Sequence, residues 1–481
     1  MTVDVGTILR GPLRADPACP ALFAPADGRQ LSRGQLAAVA ARLLDLDPRR
    51  GPLVLYTADR LAQAAVLVAG LLAGRVVCPL DPDARVGVVE RLRAHARAST
   101  VVGDDGRPSG AVDVTAAALL EGLPARRSPP ASGGEGGLLV YTSGTTGAPK
   151  GVRLNPCHLG ANVAYAVAHF GYQRDWVSAS VLPLFHTFTV VSDLLPVLAA
   201  GGQVVITPGF GPAQVAATAR ALAAHEVRSY SAVPVIFDLM LATRFPMTPT
   251  VRFAVAGAAP LGEHTRLRYA ERYGHEILPC YGLSESTCFA AASSRGAVRA
   301  GTVGQAAGIE VEVRGERGEP LGPGMNGEVA LRGASVIGGG YHEDGGRHAS
   351  SFPGDGWFLT GDIGRLDRDG YLSVTGRKKN MLIRGGEKVY LEDVDRCLAA
   401  HPDVTDCCTV RFGGGPHEEG AVAFVVPRLA RVDTVALGQH VTAELGLASR
   451  VDRFVFVEAI PRSASGKALR EVLVAAHLGN P

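Results

Sequence analysis

Residues 138–151 read Leu138-Leu139-Val140-Tyr141-Thr142-Ser143-Gly144-Thr145-Thr146-Gly147-Ala148-Pro149-Lys150-Gly151. The apolar start predicts a buried strand. In the loop that follows, glycines free the backbone to turn N–H groups inward, while Ser and Thr hydroxyls and one lysine add donors, which is how a loop wraps a polyphosphate. It is not a Walker loop, because Ala148-Pro149 separates Gly147 from Lys150 and no Gly-Lys-Ser/Thr occurs. Taken alone, such a loop is equally what a flexible connection looks like, so its surroundings decide. Upstream, Arg126 to Gly137 is polar and rich in Gly and Pro, a loop feeding the strand rather than a linker between domains.

On either side of this loop lie two segments of one design, Leu53 to Leu80 and Ser180 to Pro208. Each has an apolar strand-like run, a helix-like apolar stretch, then Ala-Gly and a second β-rich run. That alternation argues for βαβ units on mainly parallel sheets, hence two α/β subdomains. After about Ala300 the texture changes to short β-like runs cut by Gly and Asp turns, at Glu310 to Arg314, Gly327 to Leu331 and Gly370 to Thr375, which suit a small antiparallel or barrel-like unit. The basic turn Arg377-Lys378-Lys379 opens a last stretch of strand-helix alternation. The expected organisation is a large α/β N-terminal domain over 1–376 and a small α+β domain over 377–481.

The bulk numbers exclude several classes. The chain has 481 residues, 47% apolar and 20% charged, as in soluble globular proteins. Its 48 basic and 46 acidic side chains leave a net charge of +2, no footprint for nucleic acid. The eight cysteines show no Cys-x-x-Cys pair and no histidine at zinc spacing, so they read as reduced thiols. The longest apolar stretch, Leu61 to Gly74, is shorter than the roughly 20 residues of a membrane span and carries Gln63, and Met1 to Arg10 does not resemble a secretory signal. A cytoplasmic protein without a membrane span is expected.

Further strings follow the glycine-rich loop in order: Leu182-Pro183-Leu184-Phe185-His186-Thr187, Ala256-Gly257-Ala258-Ala259-Pro260-Leu261, Tyr281-Gly282-Leu283-Ser284-Glu285-Ser286, Trp357-Phe358-Leu359-Thr360-Gly361-Asp362, Gly376-Arg377-Lys378-Lys379-Asn380 and Pro461-Arg462-Ser463-Ala464-Ser465-Gly466-Lys467. A histidine on an apolar strand is more often a core residue, and a basic run is more often a solvated face. The third string is no serine-hydrolase elbow, being Gly-x-Ser-x-Ser. The ordered set resembles the adenylate-forming superfamily of acyl-CoA synthetases, peptide-synthetase adenylation domains and beetle luciferases, the AMP-dependent synthetases and ligases.

The resemblance implies roles residue by residue. Thr142, Ser143, Gly144, Thr145, Thr146, Gly147 and Lys150 would hold ATP phosphates. Gly257, Ala258, Ala259 and Pro260 would flank adenine, on which Tyr281 stacks beside Gly282. Ser284, where the family more often has Thr, would hydrogen-bond the α-phosphate, and Glu285 would hold Mg²⁺, a hard cation that spans phosphate oxygens. Asp362 and Arg377 would take the ribose, Lys379 would be the hinge, and Lys467 would bridge the acid's carboxylate and the α-phosphate. His186 would lie beside an acyl pocket lined by Phe188, Ser192, Val233, Val235, Cys280 and Ala258, with Cys280 where many relatives have Gly. Peptide-synthetase domains place an aspartate at the His186 position for the substrate ammonium, so an ordinary α-amino acid is disfavoured.

The implied reaction is activation of an aryl or fatty acid as acyl-AMP with loss of pyrophosphate, then transfer to a thiol. Gly385 and Gly386 resemble the backbone past which a pantetheine arm threads, so coenzyme A or a holo carrier protein is the expected acceptor. The enzyme is expected to be a monomer or homodimer. Two readings from other classes stand beside this one: an adenylating enzyme with another second step, such as amide formation, oxidation or nitrite activation in a diazotase-like reaction, and a non-catalytic nucleotide binder. Intact Lys467, Glu285 and Asp362 weigh against the last.

Overall fold

The computed structural model describes the chain except residues 1–3, 48–49, 105–112, 125–127, 131–135, 143–149, 212, 344, 347, 385–386, 414–419, 429–431, 463–466 and 479–481. It forms two compact units, one of Met1–Glu310 with Leu331–Phe358 and one of Val311–Ala330 with Leu359–Pro481.

The first unit holds the two predicted α/β halves. One sheet runs Val114–Thr115, Thr100–Gly103, Leu53–Tyr56, Val76–Pro79, Gly137–Thr142, Lys150–Leu154 in spatial order, and the glycine-rich loop joins its last two strands, an antiparallel pair. The crossover Arg60–Leu72 is apolar all round and almost entirely buried, which is why it resembled a membrane segment in composition. Its N-cap, Asp59, accepts from the backbone N–H groups of Leu61 and Ala62. Among the described residues no helix is long and apolar enough to cross a membrane.

The other sheet has nine strands. Its middle, Glu276–Tyr281, Phe253–Ala256, Ser229–Ala232, Val177–Ser180 and Gln203–Ile206, is parallel throughout. Such strands leave their carboxyl ends as a crevice for ligands. In the second repeat the strand ends at Ser180 and helix begins at Thr187. His186 is therefore the residue that precedes a helix, not one on a strand, consistent with Pro183, which has no N–H to give to a ladder.

The second unit contains most of a four-stranded sheet in the order Glu310–Arg314, Gly327–Arg332, Phe358–Leu366, Leu372–Arg377, so these strands group with the C-terminal residues. A hairpin, Met381–Arg384 with Glu387–Tyr390, leads to a three-stranded sheet, Val404–Phe412, Gly420–Pro427, Arg453–Phe456, packed with the helices Leu391–Ala399, Thr434–Leu445 and Arg470–His477.

Candidate active site

In the first unit the strand Glu276–Tyr281 delivers Tyr281 half-buried at its end, and the chain turns through Gly282 into a single 3₁₀ turn, Ser284–Ser286. The turn is tight. A Cβ on Gly282 would fall 1.4 Å from the Cys288 carbonyl oxygen, so glycine is obligatory there. Thr287 follows at φ 69°, held by its hydroxyl donating 2.7 Å to the Ser335 carbonyl. This geometry buries Glu285, whose backbone carbonyl accepts from Ile337 N–H at 2.9 Å. The Tyr341 hydroxyl donates 2.8 Å to Glu285 Oε1, and Lys150 Nζ lies 4.9 Å from the centre of the same tyrosine ring. The tyrosine thus takes the ammonium on its face and one carboxylate oxygen on its hydroxyl, a cation–π contact and a charge-assisted bond from one side chain. A single carboxylate fits a magnesium ion that arrives with a nucleotide, since that metal commonly uses one or two carboxylates with substrate phosphates. Tyr341 lies outside every string singled out in the sequence. Ser143, Gly144, Thr145, Thr146 and Gly147 lie outside the described residues, and Thr142 and Lys150 are the strand ends that flank them.

The proposed acyl-pocket residues come together in part. The registers Ser231↔Val255 and Val255↔Leu278 place the next row on the same face at Gly257 and Cys280, whereas Val233, past the strand end at Ala232, packs with Tyr230, Ala254 and Ile277 of the other face. Phe188 reaches the row, for a Cβ on Gly257 would lie 2.9 Å from both Phe188 Cζ and Cys280 Sγ. Ser192 is fully buried and donates 2.6 Å to the Phe188 carbonyl, while its own carbonyl accepts from Tyr172 OH at 3.0 Å, so it braces the helix that carries Phe188. Val235 is different: it is 49% exposed on the first turn of Pro234–Ala242. Ala258 sits at φ 67°, the left-handed region, in the turn before the half-buried Ala259 and exposed Pro260. The His186 ring lies 4.5 Å from that of Phe185. Burial drives the Cys280 thiol far above its ordinary range, which favours the neutral thiol.

The second unit carries the remaining residues. Asp362, 3% exposed on Phe358–Leu366, meets Arg377 across the antiparallel register, with Arg377 Nε 2.6 Å from Asp362 Oδ1 and Nη2 3.4 Å from Oδ2. Lys378 pairs with Glu328 at 2.8 Å, the solvated role expected of it. Lys379 is the middle of a 3₁₀ turn, Lys378–Asn380, anchored where Asn380 Nδ2 bonds Glu392 Oε1 at 2.5 Å. Gly385 and Gly386 lie outside the described residues. Lys467 is exposed on a closed loop: Arg462 bridges Ala468, and Leu469 N–H bonds the Pro461 carbonyl at 2.8 Å. Ion pairs pin the flanks, Arg462 to Asp406 at 2.6 Å and Arg470 to Asp395 at 2.7 Å. Burial pushes the Asp395 carboxyl up to about 6 against the pull of Arg470. Asp395 and Asp406 lie in ordinary helix and strand sequence, so no local signal marked them.

The profile of the AMP-binding enzyme family matches residues 27–342, and that of the AMP-binding enzyme C-terminal domain matches 393–467. Sulfoacetate–CoA ligase of Cupriavidus necator is 32% identical over 94% of this chain and 93% of its own, and oxalate–CoA ligase of Arabidopsis thaliana is 32% identical over 72% and 68%. Among solved structures, ATP-bound MatB from Rhodopseudomonas palustris superposes with a TM-score of 0.86 at 24% identity, covering 98% of this chain and 100% of that one. The anthranilate CoA ligase AuaEII with anthranoyl-AMP gives 0.86 at 21%, covering 98% and 97%. With the two family profiles matching residues 27–342 and 393–467, the chain belongs to the AMP-binding enzymes.

Proposed function

We infer that this protein is an ATP-dependent acid–CoA ligase: it joins a carboxylic acid to AMP with release of pyrophosphate, then passes the acyl group to the thiol of coenzyme A. The observation that carries this reading is the buried Glu285 seat, where Tyr341 holds one oxygen and keeps the Lys150 ammonium on its own ring. Relatives that form CoA thioesters of sulfoacetate, oxalate and indoleacetate support the acid and the acceptor.

Both reactants are anions, so the work of the site is to align them and cancel their repulsion. Lys150 and the loop beside it would receive the outer phosphates. Magnesium bound with the nucleotide at Glu285 would screen the departing pyrophosphate. Asp362 would accept the ribose hydroxyls, steered by Arg377. Lys467 would place its charge between the attacking carboxylate and the α-phosphate. The Gly257 row, with Phe188 and Cys280, would receive the acyl group. In this reading the chain beyond Lys379 is a mobile domain that withdraws Lys467 after adenylation and brings Gly385 and Gly386 to the pantetheine arm, in the cytoplasm where ATP and coenzyme A are held.

The test is pyrophosphate and AMP release over a broad panel of acids, nitrite included, repeated with coenzyme A and with holo carrier protein. A cognate acid should release both products and yield a thioester with coenzyme A. AMP formation with no acid in the panel would overturn the reading, and thioester formation on the carrier protein alone would overturn its second step.

A further inference from the structure

The helix over residues 187–199 departs from α-helical geometry in one place: Val190–Leu194 is a π-helical turn, a wide turn frequent at functional sites. Ser192 and Asp193 within it, and Thr189 just before it, are all fully buried. They face a sheet surface that is also unusually polar. Ser178 and Ser180 on one strand and Ser229 and Ser231 on its neighbour share that face, and each is at most 1% exposed. Ser229 pairs with Ser178 and Tyr230 with Ala179, so Ser231 lies beside Ser180.

The hydrogen bonds here are incomplete. Ser231 Oγ donates 2.8 Å to Asp193 Oδ1, but Asp193 Oδ2, Thr189 Oγ1 and Ser180 Oγ are buried with no partner among the described residues. Each such atom costs about 1–3 kcal/mol, and native proteins seldom leave several together without a water or a ligand to meet them. The groups acting on Asp193 are serine hydroxyls, not cations, and burial pushes its carboxyl up to about 8, so it is neutral at pH 7 and can both donate and accept. Ser231 pairs with Val255 and Val255 with Leu278, one same-face row below Gly257 and Cys280, the row assigned above to the acyl group. The cluster is therefore directly beneath that row, seven residues past His186 on the helix that also carries Phe188.

We propose that Asp193, with Ser231, Thr189 and Ser180, forms a specificity-determining polar floor of the acyl pocket, one that selects an acid bearing a neutral amino or hydroxyl group at its far end and disfavours a second anionic group. The proposal rests on the assignment of the acyl group to the Gly257 and Cys280 row. An amino or hydroxyl group gives and takes a hydrogen bond in one contact, matching a neutral carboxyl and two hydroxyls. A methyl group of the same size leaves them unmet. A second carboxylate or sulfonate brings a charge to a floor whose neighbouring cation, Arg60, already donates to the carbonyls of Ser180 at 3.1 Å and Leu182 at 2.8 Å, and burying an uncompensated charge is the most expensive choice.

The experiment uses matched benzoates carrying an amino, hydroxyl, methyl or second carboxyl group at one ring position, on the full chain and on Asp193→Asn, Asp193→Leu and Ser231→Ala. Pyrophosphate release gives kcat/KM for each acid, and calorimetric binding of the same acids in the presence of AMP gives a readout independent of turnover. At the preferred ring position the amino or hydroxyl acid should exceed its methyl counterpart by about tenfold or more, and the dicarboxylate should be the poorest. Asp193→Leu should bring the ratio to one or below while the methyl acid still binds, which shows that the variant is folded. Asp193→Asn should keep part of the preference. Equal binding of amino, hydroxyl and methyl acids by the parent, or a ratio unmoved in Asp193→Leu, would overturn the proposal and leave the cluster a structural one. If no acid released pyrophosphate, the ligase reading would fail, and the calorimetric ratios would still decide the floor.

Discussion

The two units hold their functional groups in opposite ways. Around Glu285 everything is packed: a glycine that tolerates no side chain, a positive-φ threonine tied by its hydroxyl, and a carboxylate fixed by a tyrosine. Lys467 is exposed, and ion pairs stand on either side of it in the chain, Arg462–Asp406 and Arg470–Asp395. The contrast teaches that a carboxylate can be fixed by building it into a core, whereas a lysine kept at the surface is positioned by ion pairs on its flanks. Leaving an ammonium in water avoids the several kcal/mol that burying it unpaired would cost.

Substitutions should break or sharpen this contrast. The largest effect is expected at the exposed lysine. Lys467→Ala should lower adenylate formation by about a thousandfold, as loss of a transition-state donor does, yet leave thioester formation from supplied acyl-adenylate within a few-fold. Pyrophosphate release and thioester assays separate the two, and equal losses would show that Lys467 does not act in one step alone.

Next come two glycines, one from each unit. Gly282→Ala forces a Cβ to within 1.4 Å of a backbone oxygen and should lower stability by roughly 3 kcal/mol or more. Gly361→Ala, at φ +73° with nothing within 4 Å, should lose only the left-handed strain of about 1–2 kcal/mol. Denaturant midpoints of the two variants should differ accordingly, and similar values would mean that the packed turn can relax.

The pH dependence of stability tests the polar floor. Asp193 is neutral in the fold up to about 8 and would ionise from about 3.8 when unfolded. The unfolded chain therefore releases a proton that the fold keeps, so this carboxyl's contribution is whole below 3.8 and is lost as pH rises towards 8. The slope is at most about 1.4 kcal/mol per pH unit. The titratable groups near it, Tyr172, Cys280 and Cys288, are themselves held neutral by burial. Asp193→Asn should flatten the denaturation curve between pH 5 and 8, and an unchanged slope would show that Asp193 ionises in the fold.

The smallest effect is expected at Tyr341. Tyr341→Phe keeps the ring under Lys150 and removes the bond to Glu285, a loss of about 1 kcal/mol. It should raise the magnesium concentration required for activity by about fivefold, with the acid's KM unchanged. An equal rise in both would point to general loosening instead.

Much of this was legible in the residues. The repeat at Leu53 announced strand, helix and strand because apolar periodicity and Ala-Gly punctuation are local signals, whereas the one at Ser180 begins where its first strand, Val177–Ser180, ends. The ordered strings named Glu285, Asp362, Arg377 and Lys467 because each requires a particular side chain within a short span. His186 was placed on a strand because its apolar neighbours read that way, yet Pro183 ends pairing before it is reached. Val235 was grouped with Val233, two residues away, but the chain enters a helix at Pro234 and turns it outward. Tyr341, Asp395 and Asp406 carried no signal, since each acts on a partner at least 56 residues away or held in another element.

By itself the sequence determined the α/β class, the order of the chemical strings and the identity of the acid–base and cationic groups, because these depend on local pattern and side-chain type. Only the tertiary structure decided that Tyr341 stands between Lys150 and Glu285, that Gly257, Cys280 and Phe188 meet, and that a buried aspartate lies beneath them. Those relations arise from strand register and helix packing, which bring together residues that no short stretch of chain can associate.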